Sequence, residues 1–283
     1  MTTAVLEGLL QEATVQLGKV TAQPRDEAEW LLAELLGVDR SQLRRIDQPL
    51  TAPQQQRFAE WLQRRAEGEP FAYVTGTQPF RRLIMHVSAD VLIPRADTEH
   101  LVTWALQVLA SGSKPPRVLD ACTGSGCVAL AIADEAPGHE VWASDCSPTA
   151  LAVAQANAAR LQLPVHCFHA DGLSLPSPAM RFDLVTANPP YIAEGDAHLP
   201  ALQHEPTLAL GSGPDGLTLL RQLIVQAPHC LQPGGWLLLE QGYDQGAAVR
   251  ALFEAQGFER IETRRDYGGN ERVTGACWPA AHD

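Results

Sequence analysis

The fold of this chain is indicated by a stretch near its middle, where an apolar run leads directly into a glycine-rich turn. The stretch reads Val118-Leu119-Asp120-Ala121-Cys122-Thr123-Gly124-Ser125-Gly126. It predicts a buried strand over Val118–Ala121, and the apolar residues that follow predict a helix over Val128–Glu135. Glycines at 124 and 126 let the backbone approach a ligand closely and supply turn geometry that a Cβ would obstruct. The stretch therefore predicts a strand, loop and helix that bind a nucleotide-like ligand.

On the C-terminal side of this unit, strand and helix patterns alternate to the end of the chain. Further strands are predicted over Val141–Ser144, Val165–Phe168, Phe182–Ala187, Trp236–Glu240, Phe258–Glu262 and Arg272–Cys277. Helices are predicted over Pro148–Leu161, Leu217–Ala227 and Gln245–Gln256. Alternation of this kind predicts an α/β fold, in which a mostly parallel sheet carries helices on both faces.

On the N-terminal side, the first 70 residues predict a small helical bundle. Arg25–Leu36 has apolar residues at helical spacing, and Gly37 follows where glycine commonly ends a helix. Thr51 is placed to cap a second helix, which Gly68 ends. This bundle is expected to pack on itself.

The segment between the two regions predicts a β-hairpin linker. Phe71–Thr75 and Leu83–Val87 are short and β-prone, and glycine and proline separate them. A helix is predicted from Asp97 to about Ala110, and a loop over residues 111–116. We therefore expect three regions: a helical domain over 1–70, a hairpin linker over 71–95 and an α/β domain over 96–283.

Composition excludes several classes of protein. Hydrophobic residues make up 45% of the chain and charged residues 19%, which is ordinary for a globular protein and wrong for a disordered one. No run approaches the roughly 20 apolar residues of a membrane-spanning helix. Met1–Val20 does not have the pattern of a signal peptide, so a cytoplasmic protein is expected. The net charge of −12 suits a basic partner and shows no basic excess for nucleic-acid phosphates.

The six cysteines and nine histidines do not have the spacing of a metal site. The cysteines are Cys122, Cys127, Cys146, Cys167, Cys230 and Cys277. They lie in or beside apolar runs and form no Cys-x-x-Cys pair. We therefore expect buried free thiols, no disulfide framework and no metal.

Acidic residues at three successive strand ends favour S-adenosylmethionine as the ligand of the glycine-rich loop. Asp120 would repel a pyrophosphate and attract an ammonium group. Asp145 can accept hydrogen bonds from two ribose hydroxyls, and Asp171 can receive the adenine amino group. The loop alone leaves NAD open, because Gly-x-Gly-x-x-Gly loops sometimes carry alanine at the third position, here Ala129. A single aspartate at a strand end is often only a helix cap, so the prediction depends on all three.

The segment Asn188-Pro189-Pro190-Tyr191 follows the predicted strand Phe182–Ala187, at the sheet edge where α/β proteins bind ligands. In an amide or adenine amino group the nitrogen lone pair is delocalised, so methylation needs acceptors that draw the nitrogen toward tetrahedral geometry. The side-chain oxygen of Asn188 and the carbonyl of Pro189 are the expected acceptors. The prolines stiffen the loop, and Tyr191 offers an aromatic face. Asn-Pro pairs also occur in turns without chemistry, so the motif gains weight from its position.

The chain resembles the release-factor glutamine methyltransferases, the HemK/PrmC family, over nearly its whole length. Beside the loop and Asn188–Tyr191, the motifs that carry the resemblance are Gly68-Glu69-Pro70, Leu92-Ile93-Pro94-Arg95-Ala96-Asp97-Thr98-Glu99, Glu205-Pro206, Ala209-Leu210, Gly213-Pro214-Asp215-Gly216-Leu217, Leu239-Glu240 and Asp266-Tyr267-Gly268-Gly269-Asn270-Glu271-Arg272. The Asn-Pro-Pro-Tyr segment is shared with adenine-N6 methyltransferases, whereas the linker and tail motifs are much more specific.

The resemblance implies a Rossmann-like class I methyltransferase sheet, S-adenosylmethionine as cofactor, and N5-methylation of the glutamine in the Gly-Gly-Gln motif of class-1 peptide chain release factors. The cofactor contacts expected from the residues and the resemblance together are Asp120, Ala121, Cys122, Thr123, Gly124, Gly126, Asp145, Asp171, Gly172 and Asn188. Catalysis is assigned to Asn188, Pro189 and Tyr191, and these with Pro190 would hold the glutamine. The helical domain would help to receive the release factor.

The sequence departs from the family pattern at two positions. Ala96 stands where proline is usual, which is expected to alter only the stiffness of the linker. Gly172 stands where relatives often carry an aromatic residue, so a side chain that stacks on adenine is lacking there.

Three alternatives stay open on sequence alone. The methylated glutamine can belong to a ribosomal protein. The same four-residue segment also suits adenine N6 of a flipped nucleic-acid base, which requires a basic groove and a target-recognition region. A third possibility is a module that binds cofactor without turnover. We expect a monomer, no membrane association and no direct contact with nucleic acid.

Overall fold

In the computed structural model, which describes residues 4–110 and 116–280, the chain divides into two units, Met1–Thr77 and Gln78–Asp283. The first unit is built from helices, and the second carries the large sheet. Residues 111–115 of the predicted loop lie outside the described residues.

The first unit contains four helices: α1 (Ala4–Leu17), α2 (Pro24–Leu36), α3 (Ala52–Ala66) and α4 (Phe71–Thr75). The two predicted helices, α2 and α3, are confirmed. Gly37 ends α2 in the left-handed conformation at φ 63°. At the start of α3, Gln54 Oε1 accepts hydrogen bonds from the Thr51 backbone N–H and hydroxyl, both at 2.9 Å. The helices enclose one apolar core, which includes Leu10, Leu31 and Phe58.

The prediction of a strand over Phe71–Thr75 is wrong, because these residues form α4. Pro70 starts the turn: its carbonyl accepts hydrogen bonds from the backbone N–H groups of Tyr73 and Val74. Three consecutive side chains, from Ala72 to Val74, are buried. A strand would turn every second side chain to the opposite face, whereas a helical turn can bury all three. Gly76 then ends the helix at φ 78°.

The predicted hairpin exists, but its first strand lies further along the chain. It pairs β1 (Thr77–Phe80) with β2 (Leu83–His86) in a two-stranded sheet. The predicted strand over Leu83–Val87 is thus confirmed.

The second unit contains a seven-stranded sheet with the order β5-β4-β3-β6-β7-β9-β8. Its strands are β3 (Arg117–Ala121), β4 (Glu140–Asp145), β5 (Val165–His169), β6 (Phe182–Ala187), β7 (Leu231–Glu240), β8 (Glu259–Arg265) and β9 (Glu271–Cys277). β5, β4, β3, β6 and β7 run parallel, and β9 is antiparallel to both β7 and β8. The predicted, mostly parallel sheet is confirmed.

Five helices cover this sheet: α5 (Glu99–Leu109), α6 (Cys127–Glu135), α7 (Pro148–Leu161), α8 (Thr218–Gln226) and α9 (Gly246–Gln256). A short 3-10 turn over Ala96–Thr98 precedes α5. On one face, Leu119 and Val185 of the sheet share a buried core with Leu223 of α8 and Phe253 of α9. On the other, α5 packs on β6 and β7, and α6 packs on β3.

The strand order places a ligand crevice at the centre of the sheet. The chain moves outward from β3 through β4 to β5, and then returns to form β6 on the other side of β3. Connections therefore leave in opposite directions at the carboxyl ends of neighbouring strands, which is where open α/β sheets bind ligands.

Candidate active site

A cavity of about 220 Å³ lies at the carboxyl ends of β3, β4 and β6, and all its lining residues belong to the second unit. Eight of the predicted site residues line it: Asp120, Cys122, Thr123, Gly124, Asp145, Asp171, Asn188 and Pro190. Five others do not line it: Ala121, Gly126, Gly172, Pro189 and Tyr191. The structure thus gathers most of the predicted residues around one space and gives the rest other positions.

The glycine-rich loop is held in left-handed backbone geometry at three of its residues. The φ angles are 55° at Cys122, 54° at Gly124 and 82° at Gly126. At Gly126 an added Cβ would lie 3.1 Å from Leu130 Cδ1 and 3.2 Å from Ala154 Cβ. Gly126 therefore serves the close packing of α6 on α7, whereas Gly124 faces the cavity with open space around it.

Asp145 holds the glycine-rich loop to the end of β4. Its Oδ2 accepts a hydrogen bond from the Gly124 N–H at 2.9 Å, and its Oδ1 accepts one from the Ser147 N–H at 2.9 Å. An ionised carboxylate has about four lone-pair sites, so each oxygen retains capacity toward the cavity that it lines. This arrangement fits an acceptor of hydroxyl groups.

Asp120 is 1% exposed at the end of β3. Its two oxygens accept hydrogen bonds from the Thr123 hydroxyl at 2.6 Å and the Thr186 hydroxyl at 2.9 Å. Burial raises the pKa of Asp120 to about 7, although these hydrogen bonds oppose the rise. A cationic group in the cavity would favour the ionised carboxylate, so this site suits an ammonium ligand better than an anionic one.

Asp171 and Gly172 follow β5 but play different structural parts. Asp171 is exposed, lines the cavity and lies 3.4 Å from the Gln222 side-chain nitrogen. Gly172 is buried at φ 56°, and an added Cβ would lie 2.6 Å from Gln226 Oε1. The apolar lining is instead supplied by side chains that include Val91, Leu92, Leu208 and Leu219.

Asn188 follows β6 directly, and its amide nitrogen is engaged by Thr98, which also lines the cavity. Asn188 Nδ2 donates a hydrogen bond to the Thr98 hydroxyl oxygen at 3.1 Å. Because the nitrogen is engaged, the side-chain oxygen is the group available to an incoming donor. Pro189 and Tyr191 line a second cavity of about 350 Å³. The residues common to both cavities are Leu92, Arg95, Asn188, Pro190 and Ala209.

Tyr191 is anchored at its hydroxyl end. The hydroxyl donates a hydrogen bond to Glu240 Oε1 at 3.3 Å, and the Tyr191 backbone carbonyl accepts one from Gln245 Nε2 at 2.9 Å. Burial raises the pKa of the Tyr191 phenol above its usual range. Burial also raises the pKa of Glu240, which is 1% exposed, to about 7. The tyrosine is therefore held as a neutral, fixed aromatic wall of the second cavity.

Comparison with known proteins identifies the family to which these features belong. Residues 8–76 match the PrmC N-terminal domain, and residues 118–204 match a methyltransferase domain. The release factor glutamine methyltransferase of Salmonella typhimurium is 45% identical over 269 residues, which cover 94% of this chain and 96% of that protein. The chain belongs to the release factor glutamine methyltransferase family. The family member from Pseudomonas aeruginosa is also 45% identical, covering 90% of this chain and 92% of that protein.

A solved structure supports the fold assignment of this family member. A methyltransferase from Pyrococcus furiosus matches at a TM-score of 0.52 with 14% identity, covering 81% of this chain and 100% of that chain. Together with the methyltransferase-domain match over residues 118–204, this likeness shows that the second unit has the class I methyltransferase fold.

The motifs shared with the release factor glutamine methyltransferase family supply some of the residues that line the two cavities, among them Leu92, Arg95 and Ala209. Glu205, which is 7% exposed, accepts a hydrogen bond from the Ile93 N–H at 3.1 Å and forms an ion pair with Arg95. This bond joins two motifs that are more than 100 residues apart. Neither was predicted to line the site from its residues alone, because the segment before α5 and the loop after β6 both lack a periodic signal. The signal that pointed to both motifs in the sequence was the resemblance to the family.

The cysteines are free, but the prediction that they are buried is only partly right. Cys230 and Cys277 are buried, Cys122, Cys127 and Cys167 are half-buried, and Cys146 is exposed. Cys146 follows Asp145 at the end of β4, where the chain opens toward the cavity. Over residues 4–110 and 116–280, no cluster of three or more histidine, cysteine or acidic side chains is placed to hold a metal. Within those same ranges, no helix has the length and apolar content to cross a bilayer.

Proposed function

We propose that this protein transfers a methyl group from S-adenosylmethionine to the side-chain amide nitrogen of the glutamine in the Gly-Gly-Gln motif of class-1 peptide chain release factors. Relatives with this name match at 45% identity across nearly the whole chain. The observation that carries the proposal is the orientation of Asn188, whose amide nitrogen is bonded to Thr98 so that its oxygen is left for a substrate N–H.

The cavity fits S-adenosylmethionine in the chemistry of its lining. Asp145 would accept hydrogen bonds from the ribose hydroxyls, and Asp171 would accept one from the adenine amino group. Asp120, at the start of the loop that leads to Gly124, would balance the positive charge of the ammonium group. Side chains such as Val91 and Leu208 offer the apolar surface that a planar base requires. When bound, the cofactor supplies an electrophilic methyl carbon on a sulfonium.

The residues of the segment after β6 prepare the substrate nitrogen. The oxygen of Asn188 and the carbonyl of Pro189 would each accept one hydrogen of the glutamine NH₂ group. Two fixed acceptors favour a tetrahedral nitrogen and stabilise the positive charge that develops on it, without reorganisation at the moment of reaction. Tyr191, held by Glu240, would close one side of the pocket against the planar amide. Pro189 and Tyr191 both line the second cavity, which would admit the glutamine.

The helical domain is proposed to receive the release factor. Residues 8–76 match the PrmC N-terminal domain, and the net charge of −12 suits a basic partner surface. We propose that the protein works as a monomer in the cytoplasm, where release factors act.

The test is transfer of labelled methyl from S-adenosylmethionine to a purified release factor, beside the same factor with its Gly-Gly-Gln glutamine changed to alanine. We expect label on the first and none on the second. The variant Asn188→Ala should lose about 10²–10³-fold in kcat, the usual effect of removing one preorganised hydrogen-bonding group. A matched surface change, Glu254→Gln on the exposed side of α9, should leave the rate unchanged.

Three results would contradict the proposal in different ways. Label on the alanine factor would place the methyl group on another residue. Label only on a ribosomal protein, or only on DNA or RNA, would replace the substrate class. Full activity of Asn188→Ala would move the chemistry away from this segment.

A further inference from the structure

A buried polar network lies beneath the segment that carries Asn188. Thr98 is 2% exposed and accepts the hydrogen bond from Asn188 Nδ2. Glu240 lies next in the network: its carboxylate faces the Thr98 hydroxyl, and its Oε1 accepts the hydrogen bond from Tyr191. Its second oxygen, Oε2, is buried and has no hydrogen-bond partner among the described residues, so it can accept a hydrogen from a neighbouring hydroxyl. Thr98 and Glu240 thus stand behind both side chains that face the substrate.

The chemistry of this network decides which end of the Asn188 amide faces the cavity. An ionised carboxylate only accepts hydrogen bonds, and a threonine hydroxyl has one hydrogen to donate. If that hydrogen is directed to Glu240, the Thr98 oxygen presents a lone pair, and only the nitrogen end of Asn188 can bond to it. The opposite amide orientation would place two acceptors against each other. In its ionised form the carboxylate therefore sets the direction of the chain of hydrogen bonds and leaves the Asn188 oxygen to accept a hydrogen bond from the substrate.

Two motifs from opposite ends of the domain hold this network in place. Arg272, from the tail motif, forms ion pairs with Asp266 at 3.1 Å and with Asp97 at 3.3 Å. Asp97 directly precedes Thr98, so the tail motif is tied to the turn that carries the hydroxyl. The Arg272 guanidinium also faces Glu240 and the Tyr191 hydroxyl, where its positive charge favours the ionised carboxylate.

We propose that Thr98 and Glu240 are positioning residues, which fix the Asn188 amide with its oxygen toward the substrate nitrogen. This inference deepens the proposed function, and the expected effect of these residues on turnover rests on that function. It assigns a role to the linker and tail motifs, whose side chains do not touch the reacting atoms.

The test replaces the hydroxyl without changing the size of the side chain. Thr98→Val removes the acceptor, Thr98→Ser retains it, and Thr103→Val is a matched control at an exposed position of α5. In methylation assays Thr98→Val should lower kcat by about 10–100-fold, because small misplacements of a catalytic group cost up to 10²-fold. Thr98 also lines the first cavity, so the KM for cofactor is measured beside kcat, and it should change much less than kcat does. Thr98→Ser should recover most of the rate, and Thr103→Val should match the wild type.

A second readout does not depend on activity. The chain has three asparagines, Asn157, Asn188 and Asn270, so selective ¹⁵N-asparagine labelling gives three side-chain amide pairs in an NMR spectrum. The Asn188 pair is assigned by its loss in Asn188→Asp. Thr98→Val should shift that pair and leave the Asn157 pair in place, which also shows that the domain is folded. Thr98→Ser should leave all three pairs in place.

The outcomes separate this inference from the proposed function. If the wild type methylates no release factor but Thr98→Val still shifts the Asn188 pair, the function is wrong and the positioning stands. If Thr98→Val leaves that pair unmoved, or leaves kcat within twofold of wild type, the positioning is overturned. Should Thr98→Val fail to fold, Glu240→Gln decides by the same two measurements, because its amide can donate to Thr98 and reverse the chain of hydrogen bonds.

Discussion

The two glycines of the loop are predicted to fail in different ways when each is changed to alanine. At Gly126 the φ angle is 82°, a left-handed conformation that costs a residue with a Cβ about 1–2 kcal/mol. The new Cβ would also lie 3.1 Å from Leu130 and 3.2 Å from Ala154, and overpacking of this kind costs about 1–3 kcal/mol. Alanine restricts the unfolded chain, which returns about 0.4–1 kcal/mol. Gly126→Ala should therefore lower the free energy of unfolding by about 1–4.5 kcal/mol.

Gly124→Ala is the matched variant. Its φ angle is 54°, so it carries a similar conformational strain, but an added Cβ meets nothing within 4 Å. The net loss of stability should be only about 0.5–1 kcal/mol. Gly124 lines the cavity, however, so its Cβ should obstruct a ligand and weaken cofactor binding.

The assay is urea-induced unfolding of both variants beside wild type, with titration calorimetry of S-adenosylmethionine on the folded proteins. Hydrogen exchange of the α6 amides will show whether the loss in Gly126→Ala lies where the contacts predict. The reasoning is refuted if Gly126→Ala is no less stable than Gly124→Ala. It is also refuted if Gly124→Ala binds the cofactor as tightly as wild type.

Three further predictions follow from the site. Asp145→Asn should weaken S-adenosylmethionine binding roughly 10- to 100-fold, since a hydrogen bond to a charged group contributes about 1.5–3 kcal/mol; calorimetry giving a change below threefold would contradict this. Burial raises the pKa of Asp120 from 3.8 to about 7, so the folded state retains a proton that the unfolded chain releases, and stability should fall as pH rises through that window. In urea unfolding between pH 4 and 8, Asp120→Asn should reduce the decline of stability with rising pH, and the buried Glu240 should account for the decline that is left. An unchanged decline in Asp120→Asn would refute the burial argument. Glu205→Gln should speed hydrogen exchange of the segment around Ile93, because the ion pair with Arg95 is lost, and unchanged exchange would show that the segment is held elsewhere.

The parts of the fold that were predictable from sequence are those encoded by contiguous residues. The strand Phe182–Ala187 and the helix Pro148–Leu161 occur with the predicted bounds, because each has its own periodicity and end signals. The failure at Phe71–Thr75 has the same origin. Aromatic and β-branched residues favour a strand locally, but tertiary burial of three successive side chains favours a helical turn, and a local pattern does not contain that information.

The same division applies to the site. Residues of the loop and the strand ends, such as Gly124 and Asp145, line the cavity as expected because the parallel sheet brings all its carboxyl ends to one edge. Gly172 shares that edge but turns into the packing against α8. Which side of the backbone faces the ligand depends on φ, and the sequence does not specify φ at that position.

The cofactor half and the substrate half of this site thus differ in how much of the chain they require. The polar side chains proposed to bind the cofactor lie within residues 118–126 and at the next strand ends, so a short motif suffices to predict them. In the proposed network, the orientation of Asn188 instead depends on Thr98, which is 90 residues away, and through Thr98 on Glu240 at the end of β7. A chain that retained the loop and Asn188–Tyr191 but lost Thr98 and Glu240 should still bind S-adenosylmethionine and transfer its methyl group slowly. On this proposal, the linker and tail motifs distinguish an active methyltransferase from a cofactor-binding fold more sharply than the glycine-rich loop does.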